Sequence, residues 1–173
     1  MAAHKKVLPP LLAGLAMLSA CTGVSARSDR DADASALLQA LDDEYRAEAT
    51  YAAVIEKFGQ ARPFINIIEA ERRHAVMAKA EMDRLGISYD QENPYLGTLA
   101  APDTLLAACE QGVAAEVDNI ALYDRLLPTI EDERVQATLA KLQWASRERH
   151  LPAFERCVAR GGRMGRGPGG WRN

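Results

Sequence analysis

Apolar residues recur on a helical period through most of the chain. From Ser35 they fall at Leu37, Leu38, Leu41, Tyr51, Ile55 and Phe58, and the run stops at Gly59, a residue that closes helices well. Pro63 suits the first turn of a second helix, whose stripe of Phe64, Ile67, Ile68, Ala75, Ala78, Met82 and Leu85 ends at Gly86. The short link between these runs predicts an antiparallel hairpin. The stretch from Ile87 to Ala101 contains Asn93-Pro94 and Gly97 and is followed by Pro102, so it reads as a loop. At up to ~3.3 Å per residue it is long enough to run the length of a helix of about 22 residues, which rises only ~33 Å. A third helix is predicted from about Asp103 to Leu127, with Leu105, Leu106, Val113, Ile120 and Leu127 inward and Pro128 ending it. A fourth begins near Glu131, where Thr129 and Asp132 approximate a cap, and carries Val135, Leu139, Leu142, Ala153 and Phe154 to Gly161. The expectation is an all-α four-helix bundle over residues 35–160, with one long crossover between helices 2 and 3.

Polar residues interrupt these stripes in a consistent way. Glu44 and Glu48 continue the line Leu37, Leu41, Tyr51, Ile55; Glu71 and His74 break the line Ile67, Ala78, Met82. Glu116 sits between Val113 and Ile120, and His150 between Leu142 and Phe154. An ionised carboxylate in a core costs several kcal/mol unless something compensates it, and a shared cation would compensate all of these at once. Glu71 and His74 lie three residues apart, placing an oxygen and a nitrogen donor on one helical face. Tyr51 follows Glu44 by seven residues and Tyr123 follows Glu116 by seven, so each phenol lies on its carboxylate's face and is a candidate hydrogen-bond donor behind a metal site.

This ligand order resembles that of the ferritin-like superfamily, which includes rubrerythrins and bacterioferritins. Glu44-Tyr45, Phe58-Gly59, Pro63-Phe64 with Asn66-Ile67, Ala70-Glu71 with His74, Ala121-Leu122-Tyr123-Asp124, and Ala145-Ser146 through His150-Leu151-Pro152-Ala153-Phe154 are similar to the family catalogued as domain of unknown function 2202, from about Leu37 to Cys157. The resemblance implies a ferritin-like bundle and a di-iron or related carboxylate centre, with ligands at Glu44, Glu71, His74, Glu116 and His150. One position departs from it. The superfamily's second Glu-x-x-His asks for Glu at 147, and Arg147 stands there; Glu148 is about 200° from His150 around a regular helix. Glu48, one turn from Glu44, is the candidate sixth ligand.

Charge narrows the function classes. Residues 35–157 hold 13 basic and 21 acidic residues, a net of −8 that argues against nucleic-acid binding by this domain. The tail 161–173 is glycine- and arginine-rich and is expected to be disordered. At the other end His4, Lys5 and Lys6 precede an uncharged stretch, Val7 to Ala20, too short for a permanent membrane span and of signal-peptide character. Leu18-Ser19-Ala20-Cys21 resembles a lipobox, making Cys21 the lipidated mature N-terminus, with Val24-Ser25-Ala26 as the ordinary cleavage alternative. Residues 1–21 are then a lipoprotein-type signal peptide and 22–34 a polar tether to the membrane. Export makes a disulfide between Cys109 and Cys157 reasonable, and in antiparallel helices 3 and 4 the register that sets Glu116 opposite His150 also sets these cysteines opposite each other.

Oxygen and imidazole donors suit iron, manganese or zinc. The expected function is an envelope metal-binding protein, an oxidoreductase acting on Fe(II), dioxygen or peroxide; the alternative is a non-catalytic metal-binding or structural module. Lipid-anchored subunits do not readily close into a storage cage, whereas a dimer is compatible with the anchor.

Overall fold

Each predicted run becomes a helix, and several ends are capped locally. The computed structural model describes residues 22–163, which are all-helical with no strand among them. α1 spans Thr22–Phe58, α2 Phe64–Leu85 and α3 Leu105–Leu126. After a 3-10 turn at Leu127–Thr129, α4 covers Glu133–Ala145, a π turn Ser146–His150 and α5 Leu151–Ala159, these three forming one continuous run. Gly86 takes the left-handed conformation, φ 70°, that closes α2. Thr104 caps α3 by accepting from the Ala107 amide, and Asp132 caps α4 by accepting from Arg134 and Val135.

Two boundaries differ from the sequence reading. The segment expected to be a tether, residues 22–34, belongs to α1. It lacks an apolar stripe, yet Asp33 is buried and its carboxylate accepts from the amides of Glu131 and Asp132 at 3.0 and 3.1 Å, docking the extension against the start of α4. Gly161 and Gly162, expected to belong to a disordered tail, instead close α5 with φ of 62° and 69°. Gly162 lies so close to the Leu106 backbone that any Cβ would collide with it. The signal segment with Cys21, and the rest of the tail from residue 164, lie outside the described residues.

The π turn has a local cause. Pro152 has no N–H to donate, and in a regular helix its ring would meet the carbonyl of Glu148. The turn just before it widens instead, and the Leu151 amide bonds to the Ser146 carbonyl, five residues back.

Side-chain pairs fix helix direction. Tyr51 bonds Glu116 and Tyr123 bonds Glu44, so α1 and α3 run antiparallel. His74 against Glu44 and Arg72 against Glu48 give the same sense for α1 and α2. The connection from α2 to α3 follows α1. The Tyr45 hydroxyl donates to the carbonyls of Asp90 and Gln91, Asn93 donates to the Tyr45 carbonyl, and farther along Lys57 donates to the Pro102 carbonyl. Cys109 and Cys157 are joined by a disulfide that ties α3 to α5.

The apolar core falls into two clusters. One gathers Leu37, Leu41, Met82, Leu139 and Leu142 with their neighbours; the other gathers Tyr51, Val54, Phe64, Ile68 and Phe154 with the disulfide. Leu38, expected inward, is 43% exposed and belongs to neither. Between the clusters lies a layer of buried polar side chains.

Candidate metal centre

Glu44 from α1, Glu71 from α2, Glu116 from α3 and His150 from the π turn are all at most 4% exposed, and His74 from α2 is only slightly less enclosed. Regular helix brings Glu71 and His74 together: His74 Nδ1 lies 2.9 Å from Glu71 Oε2 and 3.3 Å from Glu44 Oε2. On the opposite side His150 Nδ1 lies 3.1 Å from Glu71 Oε1 and 3.6 Å from Glu116 Oε1. Glu71 therefore sits between two imidazoles whose rings stack 5.5 Å apart. Glu71, His74 and His150 each offer one donor atom within 4.8 Å of the others.

The two tyrosines hold the outer carboxylates crosswise. Tyr51 donates to Glu116 Oε1 and Tyr123 to Glu44 Oε1, both at 2.9 Å. On a single helix, residues seven apart are separated by ~10 Å along the axis, too far for a phenol to reach its own helix's carboxylate. The antiparallel partner brings the other helix's carboxylate into range.

Charge in the cluster is set by burial and by its members. Burial, then the Glu71 charge, raises Glu44 well above the ordinary carboxylate range, although His74 pulls the other way. Burial acts in the same sense on Glu71 but is outweighed by the nearby imidazoles of His150 and His74, which hold it at about 2. Burial alone would lower the histidines. Glu44 and Glu71 outweigh it and hold His74 at about 9, and Glu116 and Glu71 hold His150 at about 10. Burial, reinforced by the Glu116 and Glu44 charges, pushes Tyr51 and Tyr123 well above the usual phenol range.

The donor set fits a metal ion. Three carboxylates and two imidazoles are drawn to one place, and ring protons supply the positive charge that a divalent ion would supply instead. His150 Nδ1 is buried and within ion-pair range of two carboxylates, yet it is aligned for a hydrogen bond with neither. A buried nitrogen left unpaired in this way needs an explanation, and lone-pair donation to a cation is one.

Not every sequence candidate arrives here. Glu48 is taken by Arg72 at 2.8 Å and by Asn93 at 2.9 Å, on the side of α1 that faces the α2–α3 connection, which removes it as a sixth ligand. Arg147 does not stand in the missing carboxylate's place. The widened turn carries it to the surface, where it pairs with Asp124 at 3.2 Å, and Ser146, 3% exposed, shares the inward face with His150. Two further side chains belong to the surroundings and carry no periodic signal of their own. Asp43 bonds Asn119 across α1 and α3, and burial, with the Glu116 and Glu71 charges, raises it to about 6 against that bond. The Oδ1 of Asn119 is buried without a partner among the described residues.

A cavity of ≈ 210 Å³ opens between α1 and α3 onto the carboxylates, its walls including Asp43, Thr50, Glu116, Asn119 and Ser146. Gly112 also lines it. A Cβ there would overlap the Phe154 ring, so glycine in mid-helix lets the two helices close together beside the site.

No family model and no curated protein matches the chain. In fold it is similar to the crystal structure of a hypothetical protein from Methanococcus jannaschii DSM 2661, with a TM-score of 0.67 and 20% sequence identity, covering 76% of this chain and 82% of that one. At that identity the likeness is one of helical architecture alone.

Proposed function

We propose that this chain is an exported ferritin-like protein of the bacterial cell envelope, anchored through lipid on Cys21. Its buried carboxylate–histidine layer is an iron or manganese centre that works on Fe(II), dioxygen or peroxide. The observation that carries the reading is the convergence of Glu71, His74 and His150 within 4.8 Å, with Glu44 and Glu116 against them, inside an otherwise apolar core. Antiparallel pairing of α1 with both α2 and α3, and a connection that follows α1 from Tyr45 to Lys57, support a four-helix bundle with one long crossover.

Iron or manganese held by Glu44, Glu71, His74, Glu116 and His150 supplies a redox couple there. The chain's own groups supply the setting. Tyr51 and Tyr123 each hold one oxygen, of Glu116 and Glu44 respectively, which fixes the position of both carboxylates. The two apolar clusters flank the site, and the cavity between α1 and α3 admits a molecule as small as water, dioxygen or peroxide.

One observation favours a second reading, a non-catalytic metal-binding or structural module: beside His150 the chain offers Ser146 and no fourth carboxylate. Elemental analysis of protein purified from its native envelope, followed by stopped-flow Fe(II) oxidation, separates the two. Turnover supports the oxidoreductase, and tightly held zinc without chemistry supports the module. Stripping the metal should lower the melting temperature, and a divalent ion at a hundred times its Kd should return about 2.7 kcal/mol. Glu71→Ala should abolish most of that gain. A wild-type melting curve indifferent to every first-row divalent ion defeats the metal reading.

A further inference from the structure

The two histidines are approached from a second side, and that side has the opposite charge. A groove of ≈ 400 Å³ between α2 and the α4–α5 run is lined by Arg73, Lys141, Trp144 and Arg149, with His74 and His150 among its walls. No carboxylate among the described residues lines it, whereas the cavity on the α1–α3 side is lined by Asp43, Glu44, Glu71, Glu116 and Asp118. Arg73, Lys141 and Arg149 make no ion pair among the described residues, on a domain whose net charge over residues 35–157 is −8. Three free cations gathered in one concavity of an acidic domain form a local positive field. Trp144 is 52% exposed at this place, and the Arg149 guanidinium lies 5.2 Å from its ring centre. Both histidines use Nδ1 toward the carboxylates, and no hydrogen bond or ion pair among the described residues takes either Nε2.

We infer that this groove binds a small organic anion with a planar ring, its acid group on Arg73, Lys141 and Arg149 and its ring against Trp144. A cavity of this size, mostly apolar with a few convergent charges, suits a small molecule. With Arg73, Lys141 and Arg149 on its walls the groove favours an anionic occupant over a basic peptide segment. Bound there, the anion lies beside the two imidazoles, on the side opposite the acidic cavity. Only that last consequence rests on the metal-centre reading; the charge and shape of the groove stand without it.

The test is calorimetric titration of the full chain, as purified and again after chelation, with 2-naphthoate, 1-naphthyl phosphate and uncharged 2-naphthol. The carboxylate and the phosphate differ in which acid group they present, so their relative affinities distinguish the two sources of charge. At least one should bind about tenfold more tightly than naphthol, at one molecule per chain, and should weaken with added salt. Trp144→Ala should weaken it about tenfold, and Lys141→Ala and Arg149→Ala roughly fivefold each. All three side chains are exposed, and the charge-conserving Lys141→Arg and Arg149→Lys should retain binding where alanine loses it. Naphthol binding as well as the anions, no saturable binding of either anion, or alanine variants that bind like the parent would each overturn the inference. Because binding is read with and without metal, failure of the metal titration leaves this result untouched, and the reverse holds too.

Discussion

In the α1–α2 half of the centre a regular helix holds Glu71 and His74 three residues apart on one face. In the α3–α5 half a π turn precedes Pro152, and His150 shares its face with Ser146. Both halves contribute one outer glutamate and one histidine, and each lends a tyrosine to the other's glutamate. The difference is a single extra residue in one turn. It moves position 147 from the site to the surface and leaves Glu71 as the carboxylate between both imidazoles. Repetition in sequence therefore carries over to repetition in space only while the helix between the site residues stays regular.

The halves also differ in how they are held. The α1–α2 hairpin relies on packing and hydrogen bonds, whereas α3 and α5 are cross-linked through Cys109 and Cys157, 48 residues apart. Closing a loop of that size contributes on the order of 4 kcal/mol in the chain-entropy treatment. Cys109→Ser with Cys157→Ser should lower unfolding stability in denaturant by about that amount, the largest effect expected here. Mass spectrometry that found two free thiols in protein prepared without reductant would remove the cross-link from the account.

A second comparison is internal to the site. Tyr51→Phe and Tyr123→Phe each delete a hydroxyl that bonds a buried carboxylate, and each should cost about 2 kcal/mol in thermal or chemical unfolding. Similar losses support the crosswise symmetry. A silent substitution on one side would show that the phenol there only fills space.

The seam between α2 and α4 should respond more weakly. Asp132 accepts from Arg84 at 2.7 Å and caps α4, and these interactions hold its carboxyl below the usual aspartate range, with the Arg84 bond the largest cause. Asp132→Ala should cost about 1 kcal/mol, the ordinary worth of such a cap. A depressed carboxyl stabilises the fold above its unfolded value near 3.8 and loses that contribution as pH falls through the lower folded value. The difference between parent and variant should thus be full at neutral pH and shrink in acid. A difference independent of pH down to the acid transition would contradict the ionised cap.

Which parts of this were readable from residues alone follows from what periodicity can report. Glu44, Glu71, His74, Glu116 and His150 stood out because each interrupts an apolar stripe, and the structure brings all of them into one buried layer. Glu48 interrupts the same stripe and was misread, since its partner Asn93 lies in an aperiodic loop and its partner Arg72 on the exposed face of α2. Residues 22–34 have no stripe, so their helix was invisible, and it is Asp33 meeting two distant amides that docks it. The π turn announced itself only through Pro152 inside an otherwise helical run. The family resemblance asks for a carboxylate at 147, three residues before His150, whereas the π turn puts Ser146 on the inward face.

That one-residue reassignment can be tested directly. Were the helix regular, Arg147→Glu would restore a second Glu-x-x-His and raise the metal stoichiometry. In the structure Arg147 is an exposed partner of Asp124, so Arg147→Glu should leave metal binding unchanged and shift stability by no more than about 1 kcal/mol, the scale of a surface ion pair. Ser146 lines the cavity beside Glu44, Glu71 and Glu116, where a longer acidic side chain has room to reach the cluster. Ser146→Glu should therefore lower the stability of the metal-free protein, because it adds a carboxylate to a buried acidic layer, and should raise the number of ions bound per chain when metal is supplied. Metal titration of the two variants side by side, with melting curves taken with and without metal, reads both effects. If Arg147→Glu gains an ion and Ser146→Glu does not, the helix before Pro152 is regular in solution and the asymmetry between the halves disappears.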